Sequence, residues 1–315
     1  MFANQPGTFG FIPPLVTPLL SPQLVDEAAV RALTDRAFQA GASAVLVLGS
    51  TGEGPHLQAQ ARQQVIRSAV SAANGRPVIA AVPALMTEDA TRMAENARAD
   101  GAAAVLAPPP FGFALSPREL AQHLRAIRTA AERPVIAYEV PSRAPSSFSA
   151  EVIGDLAREG VVSGIKDSSP DLQRLRDFQA ATADLPAFDL MSGAETDLTE
   201  VVAAGATVFV PGLANVVPHA HADAAQAATT GQRARLSDID QFLSWATSIY
   251  FVSDQGADPT ARAIGALKQA LVQQGIIAGD VLTSVFTRQD NTADHVRRWL
   301  TELPQRWAGV QASQG

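Results

Sequence analysis

The amino-acid sequence predicts an α/β fold, a (β/α)8 TIM barrel with a C-terminal helical extension, and two observations support this. The first is a set of recurring segments, in which Gly-Ala precedes a Val-rich run that ends in Gly or Pro, at 41–49, 101–110 and 205–212. A second motif, RPVIA, opens the segments 76–83 and 133–141. These intervals indicate a unit of roughly 28–30 residues, the length of one strand plus one helix.

The second observation is the number of apolar segments bounded by Gly and Pro. They predict strands at 11–17, 43–49, 77–82, 103–107, 134–140, 162–166, 188–192 and 206–211. Continuous apolar strands are typical of a parallel sheet covered by helices, and eight regular units favour a closed barrel. A doubly wound open sheet is the alternative, but it normally carries a glycine-rich motif after its first strand, which IPPLVTPL lacks.

The segment after the first strand predicts an amphipathic helix. Val30, Leu33 and Ala37 recur at helical spacing and form its apolar face. Asp26 is placed to cap the start of this helix and Gly41 to end it.

The strand pattern stops near residue 225. Residues 235–254, 258–274 and 293–306 have helical patterns. We therefore divide the chain into a barrel with a catalytic mouth, residues 1–225, and a C-terminal helical region, residues 226–315. Without a low-complexity linker between them, the second part is expected to pack on the barrel or on a neighbouring subunit.

Composition and charge exclude several classes of function. The 315 residues include no cysteine, which excludes disulfides, thiolate nucleophiles and cysteine-ligated metals. A formal charge of −7 without basic clusters argues against nucleic acid as a partner. No apolar run approaches the ~18 residues of a membrane span, and MFANQPGTFG does not resemble a signal peptide, so we expect a cytoplasmic protein without membrane contact.

Lys166 ends the sixth predicted strand and is the first candidate for chemistry. Lysine occurs only there and at Lys268, although Lys and Arg together number 24. A strand-end cation usually carries its charge to water, a role that arginine fills equally well. Only lysine can lose its proton and attack a carbonyl to form a Schiff base, so a nucleophilic role is favoured. Lys268 lies in a helical pattern, ARAIGALKQALVQQG, and is expected to be structural.

Other polar residues follow the predicted strand ends. Tyr138, one of two tyrosines, ends the strand next to that of Lys166 and is either a core aromatic or a proton-transfer group. The GSTGE turn offers backbone N–H groups and two hydroxyls for a carboxylate. Arg143 is either a carboxylate clamp or a solvated cation. His219 and His221 are expected to be exposed or capping residues, and no metal-ligand cluster is visible.

The strand-end motifs GSTGE, YEVPSR and GIKDSS, in this order and spacing, resemble the dihydrodipicolinate synthase/N-acetylneuraminate lyase family. The resemblance runs from about residue 8 to 275 and includes GALKQAL. It implies a (β/α)8 class I lyase, commonly a homotetramer, that holds pyruvate or a related 2-oxo acid as an imine. No metal or organic cofactor is implied.

The resemblance also implies roles for individual residues. Lys166 matches the Schiff-base lysine and Tyr138 the proton-relay tyrosine, with Ser50 also in the relay. The remaining expected substrate-binding positions are Gly49, Thr51, Glu139, Arg143, Gly193 and Val210. Of these, Thr51 stands at the carboxylate-binding turn, Arg143 matches a synthase arginine, and Val210 a main-chain contact.

Three departures from the family pattern bear on the substrate. The loop after the fourth strand reads PPPFGFALS, without the tyrosine pair that synthases usually carry. Glu139 stands where the family often has asparagine. Residues 193–196 only partly resemble the acidic sugar-binding turn of the lyases.

The sequence thus predicts a Schiff-base lyase, aldolase or synthase acting on a 2-oxo acid and an aldehyde. Dihydrodipicolinate synthase-like condensation is one form, and cleavage of a 2-keto-3-deoxy sugar acid or of 4-hydroxy-2-oxoglutarate is another. A catalytically silent small-acid-binding barrel and a phosphate-binding barrel isomerase are the rivals from other classes. A homo-oligomer, dimer or tetramer, is expected from the resemblance alone.

Overall fold

A computed structural model describes residues 9–252, 258–286 and 291–312 of the chain. Eight parallel strands form one sheet, and a short antiparallel pair stands apart from it. The strands are β1 (Gly10–Phe11), β2 (Leu19–Ser21), β3 (Leu24–Val25), β4 (Val45–Val47), β5 (Val78–Ala81), β6 (Ala104–Ala107), β7 (Val135–Glu139), β8 (Gly164–Asp167), β9 (Asp189–Ser192) and β10 (Val208–Phe209). Each of the eight predicted strands overlaps a strand of the sheet.

The sheet closes on itself, which confirms the predicted (β/α)8 barrel. Its strand order is β1-β10-β9-β8-β7-β6-β5-β4. Beyond β1, Pro14 pairs with Leu46 of β4 in a parallel bridge. The Leu15 N–H donates to the Leu46 carbonyl at 2.8 Å, and the Leu46 N–H donates to the Pro13 carbonyl at 3.0 Å. These bonds join the two edge strands and exclude an open doubly wound sheet.

The first strand is shorter than the predicted 11–17 because of its prolines. Pro13, Pro14 and Pro18 have no N–H to donate, so the ladder is reduced to two residues and one isolated bridge. The chain then turns back in the hairpin of β2 and β3, which the sequence analysis missed. Leu20 and Leu24 of this hairpin are more than half exposed, so no buried alternation marks it.

Helices follow the barrel strands and cover the outside of the sheet. They are α1 (Glu27–Gln39), α2 (Ala59–Ala73), α3 (Thr87–Ala99), α4 (Pro117–Ala131), α5 (Ala150–Arg158), α6 (Leu172–Ala181), α7 (Leu198–Ala203), α8 (Pro218–Thr229), α9 (Arg233–Ala246), α10 (Pro259–Gln273) and α11 (Thr292–Ala312). None of these helices is long and apolar enough to cross a membrane.

The predicted limits of α1 are confirmed. The Asp26 side chain accepts a hydrogen bond from the Ala29 N–H, and Val30, Leu33 and Ala37 are buried. Gly41 follows the helix with a φ of +97°, a left-handed conformation that glycine adopts without strain.

The C-terminal region is helical as predicted, with changed limits. Up to residue 252, the segment predicted as one helix at 235–254 is α9 followed by a single 3₁₀ turn, Thr247–Tyr250, and residues 253 and 254 lie outside the described residues. The predicted domain boundary at residue 225 falls inside α8, the helix that follows the last barrel strand. α11 packs back on α9, where Trp299 stacks on Trp245 with ring centres 5.2 Å apart. The Trp299 indole N–H also donates to the Ala246 carbonyl at 3.1 Å.

Candidate active site

Lys166 and Tyr138 lie side by side at the carboxyl ends of β8 and β7. They are directly paired in the register of the two strands, so their side chains share one face of the sheet. The Lys166 Nζ atom lies 4.6 Å from the centre of the Tyr138 ring. Both residues are buried, with 6% and 7% of their surface exposed. The structure therefore brings together the two residues expected to carry the chemistry.

The charge around Tyr138 changes how readily its phenol gives up a proton. Burial by itself raises the pKa of the phenol, since it disfavours the charged phenolate. The positive charges of Lys166 and Arg143 and hydrogen bonding with the Ser168 and Ser50 hydroxyls act in the opposite direction. The net effect lowers the pKa of Tyr138 below its usual 10.0, as suits a proton-transfer group.

The GSTGE residues after β4, together with Gly54 that follows them, form a tight turn. The Glu53 N–H donates to the Ser50 carbonyl at 3.1 Å, and the Gly54 N–H donates to the Gly49 carbonyl at 3.2 Å. A Cβ atom on Gly54 would lie 1.9 Å from the Leu48 carbonyl oxygen, so only glycine fits there. This tight turn holds Ser50 at the barrel mouth, near the Tyr138 hydroxyl.

Glu53 ties the same turn to the C-terminal region. Its side chain is fully buried, and its Oε1 atom lies 2.5 Å from the Nζ atom of Lys268, which is also fully buried. Its Oε2 atom accepts bonds from the Thr283 N–H at 2.7 Å and the Thr283 hydroxyl at 2.8 Å. Lys268 also donates to the Val281 carbonyl at 2.6 Å. The burial of Lys268 between these partners supports the structural role expected for this second lysine.

A cavity of about 280 Å³ opens beside the GSTGE turn, between the barrel mouth and α10. Its walls combine polar strand-end residues with apolar residues of α10, and they are Ser50, Thr51, Arg143, Glu195, Gly212, Tyr250, Pro259, Thr260, Ala263, Ile264 and Leu267. The exposed Arg143 donates from Nη2 to the Thr260 hydroxyl at 2.7 Å. Ser50, Thr51 and Arg143, all predicted from sequence, therefore border one space large enough for a small acid.

Glu195 and Tyr250 also lie at the mouth, and the sequence analysis did not place either among the site residues. The Tyr250 hydroxyl donates to Glu195 Oε1 at 3.1 Å, and the Gly212 N–H donates to the same atom at 2.6 Å. Burial raises the pKa of the Glu195 carboxyl to about 7, although the Leu213 and Gly212 amides, Tyr250 and Lys166 act against it. Being one of two tyrosines was the only sequence signal for Tyr250.

Glu139 is the predicted site residue that the structure does not bring to the mouth. It pairs with Asp167 in the strand register, one position beyond Tyr138 and Lys166, so both carboxylates lie on the opposite face. The Glu139 carboxylate is completely buried, lies 3.0 Å from Arg174 Nη2, and accepts a bond from the Phe148 N–H at 2.9 Å. These contacts tie β7 to its neighbours instead of offering a carboxylate to a ligand.

Gly193 and Val210 lie at the ends of β9 and β10. The Gly193 N–H donates to the Asp167 carbonyl at 2.7 Å, and the Val210 N–H donates to the Ser192 carbonyl at 2.7 Å. A Cβ atom on Gly193 would lie 2.3 Å from the Ser168 hydroxyl oxygen. The hydrogen bond between this hydroxyl and Tyr138 lowers the pKa of the phenol. Gly193 therefore allows Ser168 to reach the site, while the N–H groups of both residues are already used within the barrel.

The two histidines at the start of α8 differ from each other. His219 is exposed as predicted. The prediction was wrong for His221, which is fully buried and whose Nδ1 atom lies 3.1 Å from the Val217 carbonyl oxygen. Burial lowers the pKa of His221 to about 4, which keeps the ring neutral. Its position on the inner face of α8 is a consequence of packing that a two-residue spacing did not indicate.

Comparison with known proteins assigns this barrel to a family. The family model for the dihydrodipicolinate synthetase family matches residues 8–302. The chain belongs to this family. The 4-hydroxy-tetrahydrodipicolinate synthase of Hyphomonas neptunium is 36% identical over 210 residues, which cover 66% of this chain and 71% of the relative. That of Anaeromyxobacter is 30% identical, over 84% of this chain and 90% of the relative.

Solved structures agree with this assignment. Dihydrodipicolinate synthase from Bacteroides thetaiotaomicron superimposes with a TM-score of 0.87 at 27% identity, covering 94% of this chain and 99% of the other. The enzyme from Acinetobacter baumannii, solved with pyruvate, gives a TM-score of 0.83 at 26% identity, with the same coverage. This chain is therefore a dihydrodipicolinate synthase-like class I carbon–carbon lyase, an enzyme of the pyruvate-type aldolase fold.

Proposed function

We propose that the protein makes or breaks a carbon–carbon bond next to a 2-oxo acid, such as pyruvate, held as a Schiff base on Lys166. The observation that carries this proposal is the pairing of Lys166 with Tyr138, whose ring centre lies 4.6 Å from the Nζ atom. An amine and a phenol of lowered pKa at one strand edge are the groups that imine formation needs.

The chemistry proceeds through the neutral Lys166 amine. It attacks the keto carbon, the carbonyl oxygen leaves as water after two proton transfers, and an imine links Lys166 to the acid. Loss of a proton from the adjacent carbon then gives an enamine, whose carbon forms a bond with the carbonyl carbon of an aldehyde. Tyr138 and Ser50 carry protons in the imine steps, and cleavage follows the reverse order.

The acid's carboxylate is bound by groups around the cavity. In this proposal the Ser50–Thr51 turn supplies hydroxyls and N–H groups, and Arg143, which borders the same cavity, supplies a guanidinium. Gly193 and Val210 contribute only backbone just beyond the ends of β9 and β10, and Glu139 is left out because its side chain faces away from Tyr138 and Lys166.

Borohydride trapping tests this function. The protein is incubated with pyruvate, reduced with sodium borohydride and digested, and the lysine-containing peptides are analysed by mass spectrometry. We expect one reduced pyruvyl adduct on the Lys166 peptide and none on the Lys268 peptide, because Lys268 is buried in an ion pair. Lys166→Arg keeps the charge and is expected to abolish both the adduct and the activity.

An adduct on Lys268, or activity that survives in Lys166→Arg, would contradict the assignment of the nucleophile. The complete absence of an adduct in the wild type would instead favour the silent small-acid-binding barrel. The aldehyde partner is identified by a panel of L-aspartate 4-semialdehyde, glyoxylate and D-glyceraldehyde, each assayed with pyruvate. We include the last two because Phe111, Gly112 and Phe113 stand where synthases usually carry tyrosines.

We also propose that the protein works in the cytoplasm as a homo-oligomer, a dimer or a tetramer. The support is the likeness to the family and a group of exposed apolar residues after β5 and β6. Leu85, Met86 and Phe113 are 67%, 55% and 86% exposed. Multi-angle light scattering gives the mass directly, and a monomer at micromolar concentration would contradict this proposal.

A further inference from the structure

Glu195 lies at the barrel mouth but takes no part in the steps proposed for Lys166 and Tyr138. It borders the cavity beside α10 and also a second cavity of about 370 Å³, which lies beyond the ends of β8 and β9 against α6 and α7. Its Oε1 atom accepts two hydrogen bonds, from Gly212 and Tyr250. Its Oε2 atom accepts one described bond, a long one of 3.2 Å from the Leu213 N–H, so this oxygen keeps capacity for another partner.

The surroundings of Glu195 are built to hold it there. A Cβ atom on Gly212 would lie 2.9 Å from Glu195 Oε1 and 3.2 Å from the Tyr250 hydroxyl, so a larger residue at position 212 would displace both. Tyr250 comes from the 3₁₀ turn after α9, Gly212 from the turn after β10, and Glu195 from the turn after β9. Three separate elements therefore converge on one carboxyl group.

Charged groups face Glu195 from several sides. The positive charge of Lys166 lowers the pKa of the Glu195 carboxyl. The charged or titratable residues that share its cavities or contact it are Arg143, Asp167, Asp171, Asp197 and Tyr250. Since the pKa of Glu195 is about 7, both its acid and its carboxylate form are populated at neutral pH.

We propose that Glu195, held by Tyr250, donates and accepts the proton on the oxygen of the second substrate during the carbon–carbon bond step. This inference rests on the proposed function, because it needs an enamine on Lys166. In condensation the enamine carbon bonds to the aldehyde carbon, and the C=O π pair moves to oxygen. That oxygen takes the Glu195 proton, and the enamine becomes an iminium.

Cleavage runs the same transfers backwards. The Glu195 carboxylate takes the proton of the hydroxyl group, the carbon–carbon bond breaks towards the iminium, and an aldehyde leaves. The division of labour is therefore spatial. Tyr138 serves the imine at Lys166, and Glu195 serves the oxygen of the aldehyde on the side of the cavity beside α10.

Glu195→Gln is the first test, because glutamine keeps the shape and can still accept from Gly212. We expect borohydride trapping with pyruvate and deuterium exchange at the pyruvate methyl group to stay within threefold of wild type. With the best aldehyde of the panel, condensation should fall at least about 100-fold, a usual contribution of general acid–base catalysis. Glu200→Gln, an exposed neighbour on α7, is the matched control and should leave all three rates unchanged.

Tyr250→Phe tests the proton-transfer role against a merely structural one. The hydrogen bond from Tyr250 lowers the pKa of Glu195, so removing the Tyr250 hydroxyl should raise that pKa. Cleavage needs the Glu195 carboxylate, so the rising limb of the plot of cleavage rate against pH should move to higher pH. A structural defect would reduce the rate at every pH without moving the limb. An unmoved limb would overturn the inference.

The outcomes separate this inference from the proposed function. Without a wild-type adduct, the proposed function fails and the inference fails with it. An adduct together with unchanged condensation in Glu195→Gln overturns the inference alone. A wild type that forms the imine but condenses none of the three aldehydes also overturns it, since Glu195 would then have no step to serve.

Discussion

Position and packing, more than residue type, set the role of each lysine. Lys166 and Lys268 are both buried, but Lys268 contacts the Glu53 carboxylate and a backbone carbonyl, whereas Lys166 lies against the Tyr138 ring. The Glu53 carboxylate, 2.5 Å from Lys268 Nζ, favours the protonated ammonium, which has no lone pair with which to attack a carbonyl. The same residue type is therefore the proposed nucleophile in one place and a structural cation in the other.

His221 makes a prediction at the residue scale about acid stability. Its pKa is lowered from 6.5 to about 4 in the folded protein, so the unfolded chain binds a proton first as the pH falls. The free energy of unfolding should therefore decrease between pH 6.5 and pH 4, by a few kcal/mol from this residue. Urea unfolding across this range measures it.

His221→Phe removes the titrating group and should make that part of the pH dependence shallower than in the wild type. His219→Gln, an exposed change two residues away, is the matched control and should leave the slope unaltered. An identical slope in wild type and His221→Phe would show that the buried ring does not contribute. Comparing slopes rather than absolute values separates titration from any loss of packing.

At the scale of elements, the GSTGE turn is shaped by Gly52 and by Gly54, which follows it, and it is anchored from a distance. The turn carries Ser50 and Thr51, yet Glu53 in the same turn reaches Lys268 on α10 and Thr283 beyond it. Glu53 also has a φ of +55°, an uncommon conformation for a residue with a side chain. The buried contacts hold the backbone in this conformation, so α10 helps to position the Ser50 and Thr51 hydroxyls.

Lys268→Met should therefore affect both stability and substrate binding. It leaves the Glu53 carboxylate buried without its cation, and breaking a buried pair in this way typically costs about 3–5 kcal/mol. We expect the urea midpoint to fall and the KM for pyruvate to rise as the turn shifts. The double variant Glu53→Gln/Lys268→Met removes both charges and should recover part of the stability. If adding Glu53→Gln to Lys268→Met recovers none of the lost stability, the two charges are not coupled and the prediction is wrong.

At the scale of the whole molecule, the C-terminal helices are expected to unfold together with the barrel. All three tryptophans, Trp245, Trp299 and Trp307, lie in this region. The buried Glu53–Lys268 pair and the bond between Arg143 and Thr260 connect it to the barrel mouth. Tryptophan fluorescence and far-ultraviolet circular dichroism should therefore give the same urea midpoint. Two separated transitions would show that the region is an independent domain.

The barrel could be predicted from sequence because its signals are local. Each strand is a short apolar run between Gly and Pro, and each βα unit repeats the pattern of the previous one. The order of strand ends around a closed barrel then places Tyr138 next to Lys166 without any knowledge of side-chain packing. The strand limits were less accurate, since prolines near β1 interrupt hydrogen bonding within a run that is apolar throughout.

The site could be predicted only in part. Alternation along β7 separates Tyr138 from Glu139, but the sequence alone did not show which of them faces the mouth. Burial of His221 depends on which side of α8 meets the barrel. The Glu195–Tyr250 contact joins residues 55 positions apart, and the Glu53–Lys268 pair joins residues 215 positions apart. No pattern within one element carries such information.

The sequence by itself therefore determined the fold class, the family motifs and the pairing of a lysine with a tyrosine at neighbouring strand ends. Local propensity and a regular repeat are sufficient for these. Only the tertiary structure decided which carboxylates face the mouth, how the GSTGE turn is anchored, and that Glu195 and Tyr250 meet beside the cavity. The reason is physical: these features depend on packing between elements far apart in the chain, where burial and proximity set the charge and the contacts of each side chain.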